Sequence, residues 1–398
     1  MTTSLQLYLT VYTAACTASM DRGVGLPEIH GVAIPATADR IPAAVDRQPQ
    51  ATDRNQARPG ALHAYVRVCT VAGTAYHRLR TDTLHRRAIC RSRETNCVIC
   101  KTGPRNMNGE HYPAATDIPG QKLPYPASQA DMHPAPDSDL SNYRPAGKLN
   151  GKVALITGAD SGIGRAVAIA YAMEGADVAI LYNENDADAA TTRQMVEEKG
   201  LPEGRRCLVI RSDVRDPGAC RAAVEQTVRE LGGLNILVNN AAFQMAQQEF
   251  EDITDEQFRR TFETNIFGYF YMVKAALPHL KDGDAIINTG SIVGITGISI
   301  LVDYSASKGA IHAFTKSLAL ALGKRNIRVN CVVPGPVWTP NIPGTMPIDE
   351  VQDFGHEVAL ARPGQPEELA PAYVLLGSSD GSFMTGSLVH VTGGKLTS

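Results

Sequence analysis

The sequence lacks several features that mark membrane, exported or nucleic-acid-binding proteins. No window approaches the roughly eighteen uninterrupted apolar residues of a membrane-spanning helix. The apolar start, Leu5–Ala15, has no Lys or Arg before it, which disfavours an export signal. The sequence also lacks a large excess of positive or negative charge. Its 38 Lys and Arg residues nearly balance its 41 Asp and Glu residues, and the formal net charge is −3. With 43% hydrophobic residues, this balance predicts a soluble globular protein with no nucleic-acid partner.

A cysteine framework is missing as well. Of eight cysteines, five precede residue 107 and the other three are scattered. This pattern does not resemble a disulfide scaffold, and it predicts a reducing, cytoplasmic location. Cys97 and Cys100 could supply half of a zinc site. No second Cys or His pair follows at a usable spacing, so no metal is predicted.

The composition changes sharply along the chain. Residues 1–106 contain thirteen Arg, one Lys and seven Asp or Glu, a net charge of +7, so the remainder carries −10. No helical or strand periodicity is visible there, which predicts a disordered or non-globular segment, or upstream sequence preceding an internal start at Met107. Residues 107–150 are predicted to form a proline-rich arm.

From residue 151 onward, apolar strands alternate with helical patterns. Such alternation predicts a parallel sheet covered by helices on both faces. The fold class is therefore α/β, a single doubly wound Rossmann domain over 151–398 with a seven-stranded parallel sheet and a ligand site at the carboxyl ends of the strands. The helices are expected around 162–174, 187–199, 217–231, 255–280, 304–323 and 366–377. The strands are expected at Val153–Thr157, Asp177–Tyr182, Arg206–Arg211, Ile236–Asn239, Ala285–Thr289, Arg328–Val333 and Leu388–Val391.

A glycine-rich turn follows the first predicted strand. Gly158, Gly162 and Gly164 lie between this strand and a helix ending near Glu174. A lone glycine pattern also occurs in ordinary tight turns. Between a strand and a helix, however, it lets the backbone approach a pyrophosphate at the helix N-terminus, which predicts a nucleotide site.

Tyr304 and Lys308 are four residues apart and share one face of a predicted helix. A phenol is a weak acid at neutral pH, and an adjacent ammonium group would lower its pKa. Alone, such a pair is most often an ordinary helical pair. Ser291, thirteen residues upstream at the end of an apolar strand, makes a proton-transfer site the better interpretation.

These motifs resemble the short-chain dehydrogenase/reductase family. Asp213, the Asn239–Ala242 stretch, Asn265 and the Pro334–Thr339 stretch follow the glycine turn in the family's order. Details such as Asp160–Gly164 are similar to the bacterial glucose/ribitol dehydrogenase-like branch of general-stress oxidoreductases. The segment Pro119–Pro126 resembles the N-terminal arm of that branch, which lies on the surface of a neighbouring subunit or of its own.

The resemblance implies a role for each motif. Tyr304 would be the general acid or base, and Ser291 would hydrogen-bond the reacting oxygen. Lys308 would lower the pKa of Tyr304 and hold the nicotinamide ribose, and Asn265 would support a proton-carrying water unless it only bends its helix. Asn239 would fix the sheet, and Asp213 would bind adenine unless it only forms a surface turn. The implied cofactor-binding residues are Gly158, Ser161, Gly162, Ile163, Gly164, Asp213, Val214, Asn240, Ala241, Tyr304, Lys308, Pro334, Gly335, Val337 and Thr339.

The choice of cofactor stays open between NADP, slightly favoured, and NAD. An acidic residue ending the second strand would select NAD, but Tyr182 and Asn183 stand there. The basic residue of many NADP-using relatives is replaced by Ser161. Arg165 could assist a phosphate or only cap its helix, and Glu184 argues in the opposite direction.

The region between Pro340 and Arg362 is expected to cover the substrate. It contains Met346, Phe354 and His356 without a cationic cluster, which favours a neutral alcohol, sugar alcohol, aldehyde or ketone. A homotetramer is expected, because the predicted helix Ser305–Leu322 carries more apolar surface than one sheet face requires. That surface consists of Ala310, Ile311, Phe314, Leu318, Ala321 and Leu322, unless these residues simply face the core.

Two functions of other classes remain as alternatives. A nucleotide-binding regulatory or scaffold protein would have a broken Ser/Tyr/Lys set, whereas this set is intact. Nucleic-acid binding through the Arg-rich start would need a folded basic face, and the sequence shows no pattern for one.

Overall fold

A computed structural model describes residues 112–200 and 204–395. The predicted disordered segment 1–106 and the pair Cys97 and Cys100 lie outside the described residues. The predicted boundaries of the arm and of the Rossmann domain remain predictions.

The sheet confirms the predicted fold class. Seven strands lie in the order β3-β2-β1-β4-β5-β6-β7, and all neighbouring pairs are parallel. The chain leaves β1 for β2 on one side and returns to β4 on the other, which defines a doubly wound sheet with a switch point between β1 and β4. The strands are β1 Val153–Thr157, β2 Asp177–Tyr182, β3 Cys207–Arg211, β4 Ile236–Asn239, β5 Ala285–Thr289, β6 Arg328–Pro334 and β7 Leu388–Val391.

Helices cover both faces of this sheet. Short 3-10 turns occur between several of them, and a π turn, Glu263–Phe267, lies between the fourth and fifth helices. The described helices are α1 Gly162–Met173, α2 Asp186–Gly200, α3 Pro217–Leu231, α4 Asp255–Phe262, α5 Gly268–Ala276, α6 Val293–Thr296, α7 Val302–Leu322, α8 Asn341–Thr345, α9 Ile348–Val351 and α10 Pro366–Gly377.

Strand β1 shows how the two core layers form. Every residue of β1 is buried, as expected for a strand covered on both faces. Because side chains alternate along a strand, Ala154 and Ile156 join the apolar cluster of α1 and α10, whereas Val153 and Leu155 join the cluster of α3, α5 and α7. The two layers hold the carboxyl ends of the central strands at one edge.

The helix predicted around 255–280 is interrupted. The π turn separates α4 from α5, and it contains the buried Asn265. The second part ends at Ala276, two residues before Pro278. The helix predicted around 255–280 is therefore confirmed over Asp255–Ala276, with a π turn in its middle and an end four residues earlier than expected.

Helix α7 buries part of the surface that was expected to be in excess. Ile311 and Leu322 are core residues, and Phe314 and Leu318 pack partly against the core. The large apolar residue that stays exposed on this helix is Leu320, at 86%. Of the residues named from the sequence, Ala321 is exposed, so an interface on this helix would be formed mainly by Leu320 and its neighbour Ala321.

The arm, defined here as residues 112–150, lies against the sheet domain of its own chain. The buried Trp338 donates its indole N–H to the Pro134 carbonyl (2.7 Å), and Leu123 N donates to Pro343 O (3.0 Å). Ile118 and Met132 join an apolar cluster with Trp338. Within the described residues, no helix is both long and apolar enough to cross a membrane.

Candidate active site

A cleft opens at the carboxyl edge of the sheet, where the switch point between β1 and β4 lies. Its walls come from the turns after β1, β2, β3, β4, β5 and β6, together with α7, the region after Pro340 and the arm. Crevices of this kind are the usual ligand sites of doubly wound sheets. The turn that follows each strand therefore supplies a separate part of one site.

The glycine turn after β1 forms a tight cradle. Gly158 has φ +62°, and a Cβ there would lie 2.8 Å from the Ala241 Cα. A Cβ on Gly164 would lie 2.1 Å from the Gly158 carbonyl oxygen, so only glycine fits either position. The Asn240 amide donates to the carbonyl oxygens of Thr157 (3.1 Å) and Gly158 (2.9 Å), which holds the turn against β4.

This cradle fits a dinucleotide. The turn leads directly into the N-terminus of α1, where the backbone N–H groups of the first turn and the helix dipole favour an anion. Ser161, Gly162 and Ile163 line the cleft there, whereas Gly164 lies behind them and allows the close packing of the turn.

Ser291, Tyr304 and Lys308 line the same cleft. Ser291 follows β5 and is 8% exposed, and Tyr304 and Lys308 lie one turn apart on α7. The Lys308 ammonium group is buried and donates to the Thr289 carbonyl at the end of β5 (2.8 Å). Its Nζ lies 5.4 Å from the centre of the Tyr304 ring. A phenol, a hydroxyl group and an ammonium group thus share one wall of the cleft.

The pKa values of this group differ from the expectation. Burial raises the pKa of Tyr304 to about 12, and the Ser291 hydroxyl opposes this with a smaller effect. Burial lowers the pKa of Lys308 to about 8. Loss of solvation around the phenol is thus the largest effect on the Tyr304 pKa, and its direction is opposite to the lowering expected from Lys308.

Asn265 lies behind the cleft and not in its lining. Its side-chain oxygen accepts from Phe243 N (2.8 Å), and its amide donates to Phe243 O and to the Ser307 hydroxyl (both 2.9 Å). The side chain therefore connects the π turn to the loop after β4 and to α7. Asn239 has a similar place, since its amide donates to the Asn288 side chain on β5 (2.9 Å).

The turns after β2 and β3 form the far end of the cleft. Asp213 and Val214 line it, and Asp213 binds Arg215 through a 2.6 Å ion pair. Burial alone would raise the pKa of Asp213, but the hydrogen bonds and charge of Arg215 hold it below its usual range. Asp213 thus both lines the cleft and stabilises its own turn. Asn183 and Glu184, the residues after β2, also line the cleft.

Arg165 is not available to a phosphate. It is 5% exposed and donates to Asp160 O (2.7 Å), to the Thr192 hydroxyl (2.8 Å) and to Asp188. The structure therefore decides between the two interpretations of this residue. Its guanidinium group supports the glycine turn from below, and a 2′-phosphate would have to be bound by other groups.

The turn after β6 and the covering region form the opposite end. Pro334, Gly335, Val337 and Thr339 line the cleft, as do Ile342, Met346 and Phe354. His356 does not line it, because its side chain points to solvent (73% exposed). The wall next to Tyr304 is mostly apolar, since Ile298, Leu301, Met346 and Phe354 belong to one apolar cluster.

All the predicted site residues except Asn265 and Gly164 line this cleft. The sequence reasoning missed Thr289, whose carbonyl holds both Lys308 and the Tyr269 hydroxyl (3.2 Å). It also missed a part of the wall that comes from the arm and from the loop after β4. These missed residues are Tyr125, Pro126, Ala127, Phe243 and Gln244, and Arg260 of α4 was missed as well.

An acidic group lies outside the cleft. Ligand oxygens of Asp137, Asp139 and Glu367 lie within 4.8 Å of one another. Burial raises the pKa of Glu367 to about 7, and this carboxyl already accepts from Tyr112 Oη (2.9 Å) and Leu140 N (3.1 Å). These contacts make Glu367 an anchor for the arm.

Comparison with known proteins gives consistent similarities. A family model described as enoyl-(acyl carrier protein) reductase matches residues 158–395. General stress protein 39 of Bacillus subtilis is 50% identical over 286 residues, which is 72% of this chain and 98% of that protein. Glucose and ribitol dehydrogenase of Daucus carota is 44% identical over 280 residues, 70% of this chain and 96% of that protein. A short chain dehydrogenase from Burkholderia cenocepacia, solved in complex with NADP, is 33% identical with a TM-score of 0.57, over 62% of this chain and 98% of that one.

Proposed function

The chain belongs to the short-chain dehydrogenase/reductase family, and on that premise we propose that it is an NAD(P)-dependent oxidoreductase acting on a neutral alcohol or carbonyl compound. The observation that carries the proposal is the presence of Ser291, Tyr304 and Lys308 in the same cleft as the glycine turn. A dinucleotide bound on that turn and along the cleft supplies the hydride. The protein's own groups would bind and orient the substrate and transfer the proton.

Tyr304 is the proposed proton donor during reduction and the acceptor during oxidation. A phenol with a pKa of about 12 holds its proton at neutral pH and can give it to a developing alkoxide. The Ser291 hydroxyl lies beside it and would donate to the same oxygen, which stabilises negative charge as it develops.

Lys308 is proposed to act as a buried cation. With a pKa of about 8 it is mostly protonated at neutral pH, and Thr289 O fixes its position. Its charge would stabilise the phenolate that forms when Tyr304 gives up its proton. Asn265 is proposed to act indirectly, because its side chain holds the loop after β4 and Ser307 of α7 together.

The proposed cofactor is NADP, with NAD as the alternative to be tested. The absence of an acidic residue at the end of β2 and the NADP-bound Burkholderia cenocepacia relative favour NADP. Glu184 lines the same part of the cleft and would repel a 2′-phosphate if its carboxylate turned inward. The side-chain amide of the neighbouring Asn183 donates a hydrogen bond to the Glu184 carboxylate (3.0 Å).

The proposed substrate is uncharged where it meets the catalytic group. Ile298, Leu301, Met346 and Phe354 would contact its carbon skeleton, and Gln244 provides a buried amide near Thr345 (2.9 Å). Such a wall favours apolar or neutral hydroxylated molecules, because a charged group there would lose its hydration.

A cytoplasmic homotetramer is the proposed working form. Phe267 and Phe270 are about half exposed (47% and 46%), and Leu320 is 86% exposed. They lie on the π turn, α5 and α7, and α7 packs against that turn. Exposed aromatic and aliphatic side chains on adjacent elements favour association with further copies of the chain. The described cysteines are all free thiols, as expected in a reducing location.

A direct assay tests the proposed activity. Purified protein is incubated with NADPH or NADH and a panel of aldehydes, ketones and sugars, and absorbance of the reduced nicotinamide is followed over time. Turnover by the parent chain but not by Tyr304→Phe supports the proposal. Nucleotide binding without turnover of any member of the panel would instead favour the regulatory or scaffold function.

A further inference from the structure

The arm forms part of the nucleotide cleft. Tyr125, Pro126 and Ala127 line it together with Asp160, Tyr182, Glu184 and Arg215, the residues at the carboxyl ends of β1, β2 and β3. The Ala127 carbonyl accepts from the Asn185 amide (3.1 Å), which ties the arm to the turn after β2. The arm therefore meets the half of the cleft where the glycine turn and the ends of β2 and β3 converge.

Tyr125 crosses from the arm to the opposite wall. Its ring lies edge-on to Phe243, with ring centres 5.7 Å apart. The Arg260 guanidinium group lies 4.3 Å from the centre of the Phe243 ring and 5.6 Å from that of Tyr125. Phe243 follows the Asn239–Ala242 stretch that holds the glycine turn. The aromatic contact therefore links the arm to the loop on the far side of the cleft.

Gln129 holds the glycine turn itself. Its side-chain oxygen accepts from Gly162 N (2.7 Å), the first N–H of α1. Its amide donates to the Ser138 hydroxyl (2.8 Å), and its backbone N–H donates to the Asp188 carboxylate (3.0 Å). Asp188 also pairs with Arg165, which in turn binds the Asp160 carbonyl. Gln129 is 6% exposed, so all these bonds are made in a buried network.

The chemistry of Gln129 suits a position beside an anion site. A carboxylate there would cap α1 more strongly, but its charge would oppose a diphosphate at the same helix end. A neutral amide satisfies one N–H group and leaves the positive end of the dipole available. The remaining N–H groups of the turn are thereby held in one geometry before any ligand arrives.

We propose that Tyr125 and Gln129 are positioning residues for the dinucleotide: Gln129 pre-orients the glycine turn and Tyr125 closes the cleft over the bound molecule. This inference depends on the proposed function, since it assigns residues of the arm to the same nucleotide site. Its consequence is that the arm slows nucleotide release. The turnover step, carried by groups on β5 and α7, does not depend on it.

The test measures binding separately from turnover, in the full-length chain. Nucleotide affinity and release rate are measured from the fluorescence of NADPH and NADH, and melting temperature reports folding. Gln129→Leu removes the bond to Gly162, and Tyr125→Ala removes the ring. Each should raise the dissociation constant and release rate roughly five- to tenfold, the effect of one lost hydrogen bond or aromatic contact. Turnover at saturating nucleotide should change less than about threefold.

Two control variants make the comparison specific. Tyr125→Phe keeps the ring and should bind nucleotide like the parent. Gln121→Leu makes the same change elsewhere in the arm, where the Gln121 side chain exchanges hydrogen bonds with the His133 backbone. It should also bind like the parent.

The possible results separate the inference from the proposed function. Parent-like affinity and release in both Gln129→Leu and Tyr125→Ala would overturn the inference while leaving the oxidoreductase in place. If Gln129→Leu fails to fold, the Tyr125→Ala and Tyr125→Phe pair decides. A parent chain that binds neither NADPH nor NADH would overturn both. A parent that binds nucleotide but turns over nothing would overturn only the proposed function.

Discussion

Replacement of Lys308 by Met should abolish activity and change the pH dependence of stability. Lys308 is 1% exposed, and burial lowers its pKa from 10.5 to about 8. The folded protein therefore holds a charged amine at neutral pH that would be easier to charge in the unfolded chain. A shift of this size corresponds to about 3 kcal/mol of lost stability where the amine is fully charged.

The direction of the pH effect follows from the same shift. Between the folded and unfolded pKa values, the unfolded chain binds more protons than the folded one, so the stability of the parent rises with pH. Between about pH 7 and about pH 9.5, its free energy of unfolding should rise by about 2 kcal/mol relative to Lys308→Met. Lys308→Met also loses the hydrogen bond to Thr289 O. This loss changes the difference in free energy of unfolding between parent and variant by the same amount at every pH, so it does not change how that difference depends on pH.

Urea unfolding followed by circular dichroism at several pH values measures this slope. The matched control is Lys316→Met, which makes the same substitution at an exposed lysine two turns further along the same helix and accounts for the lost side-chain charge. The reasoning would be refuted if the difference in free energy of unfolding between the parent and Lys308→Met stayed constant from about pH 7 to about pH 9.5. It would mean that burial does not oppose the charge of Lys308.

Three further predictions concern catalysis, assembly and the start of the chain. Tyr304→Phe keeps the ring and removes the proton, so turnover should fall by about 10²-fold or more while nucleotide affinity is retained; parent-like turnover would exclude Tyr304 as the acid or base. Light scattering at micromolar concentration should give the mass of a tetramer, and Leu320→Glu should lower the measured mass. A monomer mass for the parent would contradict the assembly proposed from the exposed residues of α5 and α7. A chain starting at Met107 should match the full-length protein in melting temperature and specific activity, because β1 and the arm residues that line the cleft are all kept. A clear loss of melting temperature or of activity would show that residues 1–106 form part of the working protein. Zinc retained by the full-length protein through Cys97 and Cys100 would show the same.

The order of the motifs was enough to predict the sheet. Continuous apolar runs that alternate with helical patterns leave few ways to bury both faces of a parallel sheet, so the fold class and most element bounds follow from local pattern. The feature that the pattern did not predict is the π turn inside the helix around 255–280, which contains Asn265 and its bonds to the loop after β4. Periodicity alone cannot report a contact between residues 22 positions apart.

The sequence by itself also determined which residues converge at the site. The turns after parallel strands meet at one edge, so Gly158, Ser291 and Tyr304 were expected together from their places in the strand and helix order. Their proton affinities could not be predicted in this way. The pKa of Tyr304 depends on how far burial removes water from the phenol, and that is a property of the packed cleft.

The contacts of the arm could not be predicted from local sequence pattern. Its proline-rich sequence predicts an extended segment but does not specify which surface it follows. The contacts of Gln129 with Gly162 and of Tyr125 with Phe243 join residues far apart in the chain. Such contacts depend on side-chain positions in the folded domain, and no local periodicity encodes them. The fold class and the residues at the edge of the sheet therefore follow from local pattern, whereas the contacts of the arm along the cleft follow from three-dimensional packing.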